Sequence, residues 1–313
     1  MHRRIARTAA RVLAGAALVF LAARAPAMAD AVEVRSIPVP LNAENPDQKV
    51  IGKLTYRGGV ELISPSDRFG GFSALGLSAD GRRLVSLTDE GNRLDAHLVY
   101  GPDGDLTGIT NTEIFTLTGP GGMPLMDKSL ADAEAMAPGV DGEIIVAFER
   151  IHRLWAYPIG QSEPRPLPLP AEMKNAPDNN GIEALTLLDD GSLFVAGEMG
   201  LLAISPDKGK TWIRLESPYE SSFFGAVGTG GPGVMIHGLR GTLYTNRDPL
   251  NQRGADAWQP IENDNVATMF GSARLDDGRT VMVGLNGVVT LVEGRQIQHF
   301  RSARGTPLSA VIG

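Results

Sequence analysis

The chain contains no cysteine. Thiol nucleophiles, thiolate metal sites and disulfide staples are therefore excluded. Stability must come from a packed core, for which 313 residues are ample. Aromatic residues make up only 6% of the chain, whereas glycine (38) and proline (21) are plentiful. That balance suits strands and tight turns better than helices. Hydrolase and nucleotide signatures are missing too. There is no G-x-S-x-G, no H-E-x-x-H and no dinucleotide fingerprint, and Gly209-Lys210-Thr211 lacks the upstream glycine of a phosphate loop.

Long apolar runs are absent after residue 29. Before it, Arg3, Arg4, Arg7 and Arg11 precede an apolar stretch from Leu13 to Ala23, and Ala27-Met28-Ala29 fits a cleavage site. This reads as a signal peptide over residues 1–29, with the mature chain starting near Asp30 in the periplasm or outside the cell. An uncleaved anchor is the alternative, because Arg24 interrupts the approach to the cleavage site; the general secretory and twin-arginine routes both stay open. Cleavage removes five of the 29 Lys and Arg residues and none of the 36 Asp and Glu, leaving a net formal charge near −12. Such a surface argues against nucleic acid and anionic membranes and favours cations.

What the chain does have is a repeated unit. Five segments each place an apolar run, a turn and a second apolar run in succession. The turns are Asp80-Gly81, Asp141-Gly142, Asp190-Gly191, Pro232-Gly233 and Asp277-Gly278. Asp-Gly accepts the positive φ of a tight hairpin, so each unit reads as two strands. The turn glycines recur roughly every 40 to 60 residues, the period of propeller blades. Shorter strand signals after each hairpin supply the outer strands. Val32–Val39, Lys53–Ile63 and Leu308–Ile312 are then strands without a hairpin. Pairing them into one shared blade predicts a single all-β domain over 30–313, a six-bladed β-propeller closed by its N- and C-terminal strands, with seven blades as the alternative.

Residues 53–198 carry LTYRGGVEL (Leu54–Leu62), RFGGFSALGLSADGRRLVSLTDEG, DAEAMA, AFERIHRLWAY (Ala147–Tyr157) and NNGIEALT. This ordered set resembles the bacterial phytase-like family, described as having esterase-like activity. Residues 201–313 differ in character. Ser205-Pro-Asp-Lys-Gly-Lys-Thr-Trp212 is an Asp box, and with HGLRGTLY and FGSARLDDGRTVMVGLNGVV it resembles BNR-repeat propellers related to photosystem II assembly factors. The Asp box itself reads as structural, with Asp207 capping backbone amides and Trp212 packing between sheets. Blades 30–200 are thus phytase-like and blades 201–313 BNR-like.

In a propeller the start of the innermost strand and the end of the second share a face. Eight residues before each turn glycine stand Ser73, Glu134, Glu183, Gly225 and Phe270; seven after stand Thr88, Glu149, Glu198, Arg240 and Leu285. Asp132 precedes the first column, and Asp89 and Glu90 follow the second. Asp89, Glu90, Asp132, Glu134, Glu183 and Glu198 are the predicted metal ligands, with Ca²⁺ as guest because it accepts many oxygen ligands at flexible geometry. Glu149, Arg150, His152 and Arg153 are the predicted catalytic group, the basic residues pairing with a phosphate or carboxylate. The competing expectation is that the glutamates bond to backbone or pair with arginine without metal. His97, His237 and His299 read as packing or surface residues. Two functions follow: a metal-dependent hydrolase of a small anionic phosphoric or related ester, as the phytase-like resemblance implies, or a non-catalytic propeller that binds a protein partner, as the BNR-like resemblance implies.

Overall fold

The computed structural model describes residues 29–312 apart from 79, 159, 160 and 162. The predicted signal peptide, but for Ala29, lies outside them. Among the described residues no helix is long and apolar enough to cross a membrane.

Five antiparallel sheets follow one another along the chain, each starting from an inner strand and stepping outward. The inner strands are Phe72–Leu77, Ala133–Pro138, Ile182–Leu187, Phe223–Gly230 and Met269–Arg274. Each returns through a second strand: Arg83–Thr88, Ile144–Phe148, Leu193–Gly197, Gly233–Gly238 and Thr280–Gly284. Four of the five predicted turns behave as anticipated, with Gly81, Gly142, Gly191 and Gly278 all at positive φ. In the fourth blade the turn sits at Gly231-Pro232 instead, and Gly233 already belongs to the second strand.

The propeller therefore has five blades, not six or seven. The N-terminal strands are used on the outside of the first blade. Asp30–Ala31 extends its outer strand Leu106–Thr116, and Arg35–Pro38 pairs with Val60–Ile63. Ser36 Oγ also accepts from the Ile109 amide at 3.1 Å. These strands are too short and too far out to form an inner hairpin. Leu308–Ile312 pairs with no strand: the Leu308 amide bonds to the Gly284 carbonyl, and the backbone of Ala310 and Val311 lies against Gly271, where only a glycine leaves room. Closure between the last and first blades is thus made by packing rather than by a shared sheet. The small hairpin Val50–Thr55 contributes, with Gly52 set against the ring of Phe300.

Apolar clusters fill the seams between consecutive blades. Leu87, Phe148 and Trp155 join the first and second. Leu154, Leu167 and Leu193 join the second and third, and Phe194, Phe223 and Trp258 the third and fourth. Val227, Met269 and Met282 join the fourth and fifth. Core thus continues across residue 200, from the third blade into the fourth.

The Asp box is a turn between Leu202–Ser205 and Ile213–Arg214. Asp207 accepts from the Thr211 amide (2.8 Å) and hydroxyl (2.7 Å), and these bonds hold its carboxyl below the usual value. The Trp212 indole donates to the Pro168 carbonyl of the preceding blade and packs on the intervening core. Replacing Asp207 by alanine should lower the thermal midpoint by on the order of 2 °C, read by circular dichroism, with calcium binding unchanged.

Candidate functional site

Every inner strand carries a bulge near its start. Pairing with the second strand skips one residue in each blade, at Ser73, Glu134, Glu183, Phe224 and Phe270. A bulged residue escapes the in-out alternation of its strand and is re-aimed. All five line one central cavity of about 1110 Å³. Counting from the turn glycines finds four of these five. It misses Phe224 and names Gly225, because the fourth turn is displaced. The second column shifts similarly. After the last paired residues Thr88, Phe148, Gly197, Gly238 and Gly284 come Asp89, Glu149, Glu198, Leu239 and Leu285. Asp89, rather than Thr88, is thus the first blade's counterpart of the glutamates, and Leu239 replaces Arg240.

Five carboxylates converge from the second and third blades. Oxygens of Asp132, Glu134 and Glu149 lie within 4.8 Å of one another, and so do those of Glu149, Glu183 and Glu198. Glu149 is common to both trios. Asp132 is buried, yet it carries two cations: Lys128 at 2.8 Å and Arg150. Burial pushes its carboxyl upward, but the hydrogen bonds from Lys128 and Arg150 outweigh that and hold it below the ordinary value. Lys128 also bonds to Asp89 through the backbone carbonyl (2.7 Å) and a carboxylate oxygen (2.8 Å). A one-turn helix, Lys128–Ala131, capped by Asp127, sets Lys128 four residues before Asp132. That i, i+4 spacing was the available sequence signal for this lysine.

The four glutamates show no ion pair to any described basic residue. Glu134 is pushed up to about 8, first by burial and then by Asp132, Glu183 and Glu149. Glu183 is pushed up to about 7 by burial and by Glu149 and Glu198. Glu149 is raised by burial and by Asp132 and Glu198, with His152 and Arg150 acting against them. Like charges gathered in a half-buried funnel must take up protons or a cation.

The remaining predicted residues belong to neither trio. Glu90 is exposed and joins neither trio. Arg150 adopts positive φ and turns its side chain to Asp132. His152 places Nε2 at 2.8 Å from the Pro177 carbonyl. Arg153 stacks on Phe148 and Trp155, with its guanidinium 4.7 Å and 4.6 Å from the ring centres, and hydrogen-bonds to the Leu130 carbonyl. Of the histidines, His237 is fully buried beside Gly225 and held down to about 4 by that burial.

Solved structures share the fold. Streptogramin B lyase matches at a TM-score of 0.55 with 12% identity, covering 78% of this chain and 73% of that one. Virginiamycin B lyase from Staphylococcus aureus matches at 0.53 with 12% identity, over 86% and 74%. U3-55K matches at 0.51 with 10% identity over 73% of this chain, which spans 64% of that structure's length. At such identities the likeness concerns architecture alone. No curated protein matches the chain. Residues 67–218, just under half of the chain, match the phytase-like family, described as "Esterase-like activity of phytase". The matched stretch runs through the carboxylate-bearing second and third blades and on past the Asp box, and over it the chain is similar to that family.

Proposed function

We propose that this chain is an exported propeller hydrolase that holds a divalent cation, calcium, in its carboxylate funnel and acts on a phosphoric or related ester. One observation carries the reading. Glu134, Glu149, Glu183 and Glu198 converge with no described basic side chain ion-paired to any of them, while Lys128 and Arg150 are both paired with Asp132.

The donor set fits a hard ion: every candidate ligand is a carboxylate oxygen, and Ca²⁺ takes about six to eight such oxygens. Asp132, Glu134 and Glu149 would form one part of the shell, and Glu149, Glu183 and Glu198 the other. A bound divalent ion polarises an ester oxygen and lowers the pKa of water. The protein's own contribution is positional. Lys128 and Arg150 keep Asp132 ionised and fixed, and Asp132 in turn lies against Glu134. Arg153 stacks on Phe148 and Trp155 and belongs to neither carboxylate trio.

Calorimetry should detect calcium binding at millimolar concentration or tighter. Glu149→Gln, which removes the carboxylate common to both trios, should weaken it at least tenfold, and phosphoesterase activity should fall in parallel. Wild-type protein that ignores millimolar calcium sinks the reading.

A second reading is a non-catalytic scaffold. Exposed apolar side chains flank the strand ends that carry the carboxylates and their counterparts, Met199 (73% exposed) just after Glu198 and Val266 (78% exposed) just before the inner strand Met269–Arg274, and the resemblance of residues 201–313 to BNR-repeat propellers favours it too. Absence of both calcium binding and esterase activity would leave this reading the better one.

A further inference from the structure

The cavity is not acidic all round. Its bulge positions divide by blade: serine in the first, glutamate in the second and third, phenylalanine in the fourth and fifth. Phe224 and Phe270 touch edge to face, with ring centres 5.8 Å apart and planes at 60°. Both are half-buried, and neither belongs to the apolar clusters that fill the seams between blades. Packing of the blades therefore does not account for them. Val311 and Ile312, from the chain's last described residues, continue the same apolar wall.

Size and charge narrow the occupant. A space of about 1110 Å³ exceeds what an ion or a bare phosphate needs and matches a small organic molecule. Among the described residues, each of the three arginines lining the cavity is paired with an aspartate. Arg93 and Arg83 pair with Asp95, at 2.7 Å and 3.8 Å, and Arg274 pairs with Asp189 at 2.8 Å. A polyanion entering this funnel would meet carboxylates and aromatic rings. A molecule with one polar head and a flat apolar body would find a partner for each end: the aromatic edges on one side, and the glutamates, directly or through a cation, on the other.

We propose that the funnel binds a ligand with an aromatic or similarly flat apolar body seated against Phe224 and Phe270, its single polar head turned to the glutamates, and that polyphosphorylated molecules are not its ligands. For an anionic head this rests on the calcium reading above; for a cationic head it does not, since an ammonium meets the carboxylates itself.

The test uses two pairs of probes, each with a shared head and different bodies. With calcium present, phenyl phosphate is titrated against glycerol 3-phosphate; without calcium, benzylamine is titrated against methylamine. The aromatic member of at least one pair should bind about tenfold tighter or more. That preference should shrink to less than about threefold in Phe224→Ala/Phe270→Ala. Phe224→Leu/Phe270→Leu, which keeps apolar bulk, controls for folding and should melt close to wild type. If calcium does not bind but benzylamine shows the Phe-dependent preference, the hydrolase reading fails and this one stands. Equal affinities within both pairs overturn the proposal. So does a preference that survives both double variants, no measurable binding of either aromatic probe, or inositol hexaphosphate displacing phenyl phosphate from the calcium-loaded protein.

Discussion

Metal-free protein is expected to lose stability as pH rises from about 6.5 to 8.5, and saturating calcium should restore it. Glu134 and Glu183 hold protons up to about 8 and about 7 in the folded state, against an ordinary glutamate value of 4.5. Below about 4.5 the folded and unfolded chains are both protonated there, and the advantage of the folded state is complete. Above it the unfolded chain releases these protons while the folded chain keeps them, so stability drains away until pH passes the folded values. His237 works in the opposite sense, since its depressed value of about 4 costs stability only as pH falls below about 6.5. The window above 6.5 therefore isolates the glutamates. Discounted for partial exposure, the loss is on the order of 1–2 kcal/mol, or a few degrees of melting temperature. Glu134→Gln/Glu183→Gln should flatten this profile and remove the calcium response. In the wild type, calcium at a hundred times its Kd should add about 2.7 kcal/mol at pH 8.5. A wild-type melting profile that is level from pH 6.5 to 8.5 would mean that the carboxylates are neutralised some other way.

Replacing Phe194 by alanine should cost about 3–5 kcal/mol, roughly 10 °C in melting temperature. Phe194 is fully buried on the second strand of the third blade and meets Trp258 of the fourth edge to face, ring centres 6.2 Å apart. The same cluster contains Phe223, Val234 and Ile236, so the cavity would open inside core shared by both blades. Because that core spans residue 200, the damage should appear as one unfolding transition displaced downward. Two transitions by calorimetry, with only one of them moved, would show that the front and back blades are separate cooperative units.

The hairpins were plain in the sequence because their signal is local: Asp-Gly turns flanked by apolar runs dictate conformation within a dozen residues. Blade number was not local. Val32–Val39 and Leu308–Ile312 have strand-like composition, but whether they meet depends on what else covers the first blade. Asp30–Ala31 is taken up by the outer strand Leu106–Thr116 and Arg35–Pro38 by Val60–Ile63, which leaves Leu308–Ile312 without a strand partner. The acidic trios were legible because blades two and three keep the same spacing from turn to mouth. In the fourth blade a two-residue loop replaces the longer turn, so counting landed on Gly225 and Arg240, one residue past Phe224 and Leu239. The contacts of Arg153 were not legible: its place beside Glu149 and Arg150 in sequence suggested the mouth, whereas alternation in the strand Arg153–Tyr157 lays its guanidinium on Phe148 and Trp155.

The repeated bulge has an evolutionary consequence. A residue in ordinary strand register must suit both its own sheet and the adjoining one, so its replacement disturbs a seam. The bulged residue is outside that bargain. Serine, glutamate and phenylalanine already occupy the five equivalent positions of one ring, on blades that otherwise share a design. Lineages could therefore exchange these five letters freely and arrive at new ligands on an unchanged scaffold. Related propellers should diverge fastest at Ser73, Glu134, Glu183, Phe224 and Phe270, and slowest at the apolar residues immediately beside them.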